Sequence, residues 1–201
     1  MTNILHIKSS ILGDAGNSNQ ISQKFVDQYL VTHGGSELTV RDLGENPIPH
    51  LTGEVIGGYG LAPEDRNETQ AEAAALSETL INELRTADII VMGLPMYNFG
   101  VSSSMKAWID YVARAGETFT YTENGPEGLL TGKKAYVFAA RGGKYVGTPT
   151  DTQTGFIQTI FGFFGIVDVE FVYAEGLAMG EDPKAEALAT AEVKLIELAA
   201  A

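Results

Sequence analysis

Short apolar runs alternate with stretches of helical periodicity along the whole chain. The runs DIIVMG at 88–93 and AYVFAA at 135–140 are almost uninterrupted. Parallel strands that are covered on both faces give this pattern, because neither face meets water. We predict strands at residues 4–8, 37–43, 88–93, 134–139 and 167–174.

The segments between these strands have helical spacing. Ile21, Phe25 and Tyr29 recur every four residues after Ser18, which is the predicted N-cap. Further helices are predicted at 64–85, 102–114, 151–164 and 183–201. The repeated strand–helix alternation predicts an α/β fold: a three-layer, doubly wound, five-stranded parallel sheet in the flavodoxin-like order 2-1-3-4-5. We expect residues 1–201 to form a single domain.

Two connections are longer than the usual two to six residues. They span residues 44–63 and 116–133. The second contains an extended stretch at 118–122 and a predicted turn at 124–126. Long ordered connections often serve as lids, rims or subunit contacts, so these two segments are predicted to border a site.

The charge balance excludes several classes of function. With 26 acidic and 13 basic residues the formal net charge is −13, whereas nucleic-acid and anionic-membrane binding need a basic surface. No cysteine is present, which excludes disulfides and thiolate chemistry. No apolar run reaches the roughly 18–20 residues of a membrane span. The N-terminus does not resemble a secretion signal, so we expect a cytoplasmic protein without nucleic-acid or membrane partners.

The predicted strand order places the candidate site. In an open α/β sheet, ligands bind at the carboxyl ends of the strands where the strand order reverses, here between the first and third strands. Loops 9–18, 94–100 and 140–147 should therefore frame the site.

Each of these loops has an unusual composition. The first is rich in serine and glycine ahead of a helix, which suits an anion held by N–H groups and hydroxyls, although simple capping and turning would explain it equally well. The second pairs Tyr97 and Phe99 with an amide, as a flat heteroaromatic ligand would require. Gly142 and Gly143 in the third would let backbone amides approach a ligand. Together the loops favour a flat, phosphate-bearing cofactor, which in this fold indicates FMN.

Eight short motifs along the chain resemble those of a known family. They are KSS at 8–10, VRDL at 40–43, NPIP at 46–49, PMYNF at 95–99, VARAG at 112–116, TENGPEGL at 122–129, TGKKA at 131–135 and RGG at 141–143. Nearly end to end, the chain resembles the bacterial FMN-dependent NADH-azoreductases, also described as FMN-dependent NADH:quinone oxidoreductases.

The resemblance implies one non-covalent FMN per subunit of a homodimer. The implied cofactor-binding residues are Ser10, Gly16, Asn17, Ser18, Met96, Tyr97, Asn98, Phe99, Ala140, Arg141, Gly142 and Gly143. Phe119, Tyr121 and Phe163 are implied to shape the substrate cavity. Gly16 and Ala140 depart from the family by lacking a hydroxyl. We expect a serine restored at Gly16 to tighten FMN binding by no more than roughly 0.5–1.5 kcal/mol, the net value of one hydrogen bond.

The implied activity is a ping-pong cycle in which NADH reduces the flavin and a quinone or azo compound then takes two electrons. Flavin chemistry needs no catalytic side chain, and no metal is expected. The sequence leaves open the physiological acceptor, the retention of FMN on purification, and the roles of His50 and the 44–63 segment. It also leaves open whether NADH or NADPH is the preferred donor. The acidic chain disfavours the extra 2′-phosphate of NADPH, and Arg66 or Arg85 would have to offset that repulsion.

Other functions fit the sequence less well. A flavodoxin-like electron carrier would bind FMN without oxidising NADH, but carriers seldom need such long connections. A serine hydrolase using Ser9 or Ser10 lacks the GxSxG elbow. A dinucleotide-binding enzyme lacks GxGxxG after the first strand. Of the three histidines, His6 is predicted to be a core residue and His33 a helix-end residue.

Overall fold

A computed structural model describes residues 1–201. Its strands and α-helices, in chain order, are β1 (Asn3–Lys8), α1 (Asn17–Thr32), β2 (Glu37–Asp42), α2 (Gly53–Tyr59), α3 (Glu68–Thr86), β3 (Ile89–Pro95), α4 (Ser103–Val112), β4 (Phe119–Thr122), β5 (Gly125–Gly128), β6 (Lys134–Ala140), α5 (Thr152–Phe164), β7 (Asp168–Ala174) and α6 (Glu181–Ala199).

Five strands form one parallel sheet in the order β2-β1-β3-β6-β7. Without the separate hairpin β4-β5, these strands follow the order 2-1-3-4-5 along the chain, which confirms the predicted order. The order reverses between β1 and β3, so the helices that follow those strands pack on opposite faces and a crevice opens between the two loops at the carboxyl edge of the sheet.

Two hydrophobic clusters pack against this sheet. Leu5, Ile7 and Met92 join a cluster with α3, α4 and α5, whereas Ile4 and Val91 join another with α1 and α6. Because successive strand residues point to opposite faces, both faces of the sheet carry helices. None of the helices combines the length and the apolarity that crossing a bilayer requires.

The connection at 44–63 contains a helix that the sequence analysis did not predict. This helix is α2, which begins at the N-cap Thr52. The predicted helix at 64–85 begins later than expected, because Asn67 and Gln70 form a reciprocal capping box that starts α3 at Glu68. Residues Pro63–Asp65 form only a short 3-10 turn.

The connection at 116–133 forms the antiparallel hairpin β4-β5. Thr122 pairs with Gly125, so residues 123 and 124 form the turn instead of the predicted 124–126. Pro126 lies in β5. The hairpin packs on the C-terminal end of α5. A Cβ at Gly128 would lie 2.0 Å from the backbone nitrogen of Gly165, so only glycine allows this approach.

His6 is a fully buried residue of β1. Its Nε2 lies 2.8 Å from Ser22 Oγ, and its Nδ1 has no partner. Burial, with a smaller effect from the positive charge of Lys8, lowers the pKa of His6 from 6.5 to about 4. The folded protein therefore holds this imidazole neutral where the unfolded chain would protonate it.

This difference predicts a loss of stability in mild acid. Between pH 7 and pH 5 the unfolded chain takes up a proton at His6 that the folded state refuses, so the free energy of unfolding should fall by about 2 kcal/mol. Urea unfolding at the two pH values measures the change. His6→Gln should remove most of this slope, whereas His33→Gln should keep it. An equal slope in wild type and His6→Gln would contradict the assignment.

Candidate functional site

A pocket of about 230 Å³ lies at the carboxyl edge of the sheet, where the loops after β1, β3 and β6 meet. Nine of the twelve predicted cofactor positions line it: Ser10, Gly16, Asn17, Ser18, Met96, Tyr97, Ala140, Arg141 and Gly142. Asn98, Phe99 and Gly143 belong to the same loops but lie outside the lining. The three loops that the strand order singled out therefore do converge.

The N-terminus of α1 opens onto this pocket. Gly16 is the N-cap, so no side chain bonds to the first turn, and the prediction that Ser18 caps the helix is wrong. Ser18 lies within the first turn, fully buried, and its hydroxyl has no hydrogen-bond partner. A buried orphan hydroxyl beside free helix N–H groups is unfavourable unless a ligand uses it. This arrangement suits an anion such as a phosphate.

Ser10 and Gly16 face each other across the loop. Ser10 Oγ lies 3.2 Å from Tyr97 Oη, which links the first two loops. A Cβ at Gly16 would lie 2.1 Å from Ser10 Oγ and 2.5 Å from Ser10 Cβ. A serine at Gly16 would therefore collide with Ser10 before it could add a hydrogen bond to a ligand, which the expected gain in FMN binding did not take into account.

Neither Lys8 nor Ser9 contributes a side chain to the lining of the pocket. Lys8 Nζ contacts Asp14 and lies 3.2 Å from Asp42, and although burial opposes its charge, these two carboxylates raise the pKa of Lys8. Ser9 Oγ donates to the carbonyl of Gly93 at 2.7 Å inside the fold. Any anion in the pocket is thus held by dipoles and hydroxyls rather than by this lysine.

The second loop forms a tight turn at residues 97–100. Tyr97 and Gly100 exchange backbone hydrogen bonds of 3.0 and 2.9 Å. The two residues between them, Asn98 (φ 49°) and Phe99 (φ 63°), have left-handed backbones. Each such non-glycine residue costs about 1–3 kcal/mol and persists only where its surroundings enforce it. The turn leaves the Phe99 side chain about half exposed at 51%.

The third loop begins at a buried cation. The Arg141 side chain has no exposed surface, and its guanidinium lies 2.8 Å from Asp151 and 3.1 Å from Glu175. Burial alone would raise the pKa of Asp151, but hydrogen bonds from Arg141 and Thr154 outweigh burial and hold that pKa below its usual range. Both carboxylates pair with the terminal nitrogens of the guanidinium, which matches its charge, while the buried Nε of Arg141 has no partner within the chain.

Backbone pairing fixes the rest of this loop. The carbonyls of Arg141 and Gly142 accept from Leu177 and Ala178 at 3.1 and 3.0 Å. The N–H groups of Gly142 and Gly143 have no acceptor within the chain and remain available to a ligand.

Leu177 and Ala178 also line the pocket, and the sequence analysis missed them. They follow β7, whose loop lies away from the switch point. The glycines at 176 and 180 on either side of them were the available signal.

Phe119, Tyr121 and Phe163 do form one aromatic cluster. The Phe119 ring centroid lies 5.4 Å from that of Tyr121 and 4.1 Å from that of Phe163. None of the three lines the pocket. Phe163 lies ten residues after Gln153 on α5, which is about 15 Å along the helix axis from the end that contacts the second and third loops.

His50 lies away from the pocket as well. It is exposed in the segment before α2 and borders a separate cleft of about 370 Å³ with Glu54, Glu72 and Tyr111. No group of histidine and carboxylate side chains in the molecule has the arrangement of a metal site.

Comparisons with known proteins agree with this geometry. A family model described as the flavodoxin-like fold matches residues 2–198. A protein of Alcanivorax borkumensis named FMN-dependent NADH:quinone oxidoreductase is 52% identical over 194 residues, which cover 96% of this chain and 98% of that protein. An Escherichia coli protein of the same name is 50% identical over the full length of both chains.

Solved structures are similar over the whole chain. A crystal structure of an azoreductase from Bacillus anthracis has a TM-score of 0.91 at 29% identity and covers 100% of this chain and 99% of its own. A second Bacillus anthracis structure, titled an FMN-dependent NADH-azoreductase in complex with FMN, has a TM-score of 0.90 at 24% identity, with 99% and 98% covered, and supports the fold.

The contact between Ser10 and Gly16 yields a prediction that needs no cofactor. Gly16→Ser should lower the free energy of unfolding by about 1–3 kcal/mol, as overpacking does. Ser10→Gly combined with Gly16→Ser should cost less than the sum of the single changes, because the collision is gone. Urea unfolding measures both. Gly57→Ser, where a Cβ meets nothing within 4 Å, is the matched control. Additive losses in the double variant would refute the collision.

Proposed function

Since the chain belongs to the flavodoxin-like family that contains the FMN-dependent NADH:quinone oxidoreductases, we propose that it is an FMN-dependent oxidoreductase of this kind. It binds FMN, oxidises NADH and delivers two electrons to a quinone or an azo compound. With a quinone the balance is NADH, one proton and quinone giving NAD⁺ and hydroquinone.

The observation that carries this proposal is the buried, unpartnered hydroxyl of Ser18 beside the uncapped N-terminus of α1. These donors fit a phosphate, and the helix end contributes a partial positive charge, whereas the charges of Lys8 and Arg141 are already paired with carboxylates. We propose that Ser10, Gly16, Asn17 and Ser18 hold the FMN phosphate. The net negative charge of the protein then has little effect on phosphate binding, since the donors act at contact distance.

The other two loops suit the ring system. We propose that Met96, Tyr97, Asn98 and Phe99 line one edge of the isoalloxazine, while Ala140 to Gly143 close the other with the free amides of Gly142 and Gly143. When bound, FMN supplies the hydride acceptance and electron delivery that no side chain here could provide. The separate core clusters on the two faces of the sheet support the doubly wound, three-layer layout that places these loops together.

One open cavity should serve both substrates in turn, which gives ping-pong kinetics.

NADH rather than NADPH is the proposed donor, because the two arginines that might offset a 2′-phosphate are engaged. Arg66 donates to the carbonyls of Gly58 and Leu61 at 2.9 and 3.0 Å. Arg85 pairs with Glu78 and Glu117.

A homodimer is part of the proposal. The pocket of about 230 Å³ is smaller than the roughly 300–1,000 Å³ typical of small-molecule sites, so one chain supplies only part of its walls. Phe119 and Tyr121 on β4 and Phe163 near the C-terminal end of α5 do not line the pocket of their own chain. In a dimer, these aromatics would complete the substrate cavity of the other subunit.

The direct test is NADH oxidation by the FMN-loaded protein with a simple benzoquinone and, separately, without an acceptor. Fast quinone-dependent oxidation with parallel double-reciprocal plots is expected. A yellow protein that leaves NADH untouched would indicate an electron carrier instead. Failure to bind FMN would refute the cofactor site itself.

Hybrid dimers test the shared cavity. Ser18→Asp should prevent phosphate binding by charge repulsion, and Tyr121→Ala with Phe163→Ala should remove the aromatics. Each homodimer should be nearly inactive. A heterodimer of the two, isolated through two different affinity tags, has one complete site and should recover about half of the wild-type activity if the aromatics act across the interface. No recovery would mean that each chain uses its own aromatics.

A further inference from the structure

The N-terminus of α5 contacts the second loop through side chains that the proposed chemistry does not use. We propose that Gln153 is a positioning residue: its side-chain amide holds the turn at 97–100 in the conformation that receives the flavin. This inference rests on the proposed function for its purpose, but its geometry belongs to the chain alone.

Gln153 is buried, with 1% of its surface exposed. Its Nε2 donates to the carbonyl of Pro95 at 2.8 Å and to the carbonyl of Gly100 at 3.0 Å. These two carbonyls bracket the turn at its start and its end. One amide group with two N–H bonds therefore fixes the separation between the strand end and the residue that closes the turn.

Thr152 provides a third contact from the same helix end. Its hydroxyl donates to the carbonyl of Phe99, inside the turn. Three carbonyls of the second loop, those of Pro95, Phe99 and Gly100, are thus held by two consecutive residues of α5.

The strain in the turn explains why such contacts are required. Asn tolerates a left-handed backbone, but Phe99 does not do so readily. The Tyr97–Gly100 backbone pair closes the turn without dictating where it sits relative to the pocket. Gln153 supplies that placement, because its donors reach across from a different element.

The same helix end is also joined to the third loop. Asp151, the N-cap of α5, accepts from Arg141 at 2.8 Å. Asp151 and Gln153 are two residues apart, so a displacement of α5 would move the second and third loops together. The Gln153 contacts thereby set the distance between two opposite walls of the pocket.

Substitution of Gln153 by Met keeps the length of the side chain and removes both donors. In Gln153→Met, we expect the Kd for FMN to rise about tenfold, the equivalent of one to two hydrogen bonds. The visible absorption of bound flavin should also change, because the ring contacts shift. In the flavin-free protein, the amides of Tyr97 and Gly100 should exchange hydrogen faster, while those of β1 and α1 keep wild-type rates.

Gln158→Met is the matched control, since Gln158 is exposed on the same helix. It should leave FMN affinity, spectrum and exchange unchanged. Wild-type affinity and exchange in Gln153→Met, or equal changes in Gln158→Met, would overturn the proposal. If Gln153→Met does not fold, Gln153→Asn decides, because it keeps the amide but is one methylene too short to reach both carbonyls: faster exchange at Gly100 supports the positioning role, and wild-type exchange there overturns it. Should wild type fail to bind FMN, the proposed function is lost, but amide exchange still tests Gln153.

Discussion

The buried ion pair between Arg141 and Asp151 is the interaction on which the site depends. A guanidinium without solvent exposure must find carboxylates inside the protein, and removing one partner of such a pair typically costs about 3–5 kcal/mol. Here the partners come from different elements: Arg141 follows β6, Asp151 caps α5 and Glu175 follows β7. The Arg141 side chain, with its two carboxylate partners, therefore joins three chain segments at the carboxyl edge of the sheet, where the loops that line the pocket lie.

The same pairing determines which groups are available to bind an anion in the pocket. Arg141 and Lys8 both lie at the carboxyl edge of the sheet, yet each is matched by two carboxylates. The donors that remain for an anion are the uncapped first turn of α1, hydroxyl groups and the free amides of Gly142 and Gly143. These donors are directional and short-ranged, so they would hold the proposed phosphate by position rather than by drawing anions toward a protein of net charge −13.

Sequence patterns predicted the strand order and the three loops because both depend on local regularities: apolar runs, helical spacing and the handedness of crossovers. They could not predict contacts between residues far apart in the chain. Gln153 is separated from Pro95 by 58 positions, and nothing around it in the sequence marks it as buried. Gly16 was taken as a missing hydroxyl, since its collision with Ser10 exists only once the loop is folded back. Ser18 looked like a helix cap, but the helix begins at Asn17, two residues earlier than a cap at Ser18 implies, and this leaves the Ser18 hydroxyl buried without a partner.

The placement of the aromatic cluster bears on how this fold can accept varied substrates. The pocket walls at the strand ends are rigid, because backbone pairing and the Arg141 pair tie each loop to the sheet. Phe119 and Tyr121 belong to a hairpin that meets α5 through the close approach of Gly128 and Gly165, and Tyr121 is 72% exposed. An aromatic surface on a separate hairpin can change by substitution without disturbing the phosphate donors. In the homodimer that we propose, cofactor binding and acceptor choice would then be carried by different parts of the chain that meet at one site.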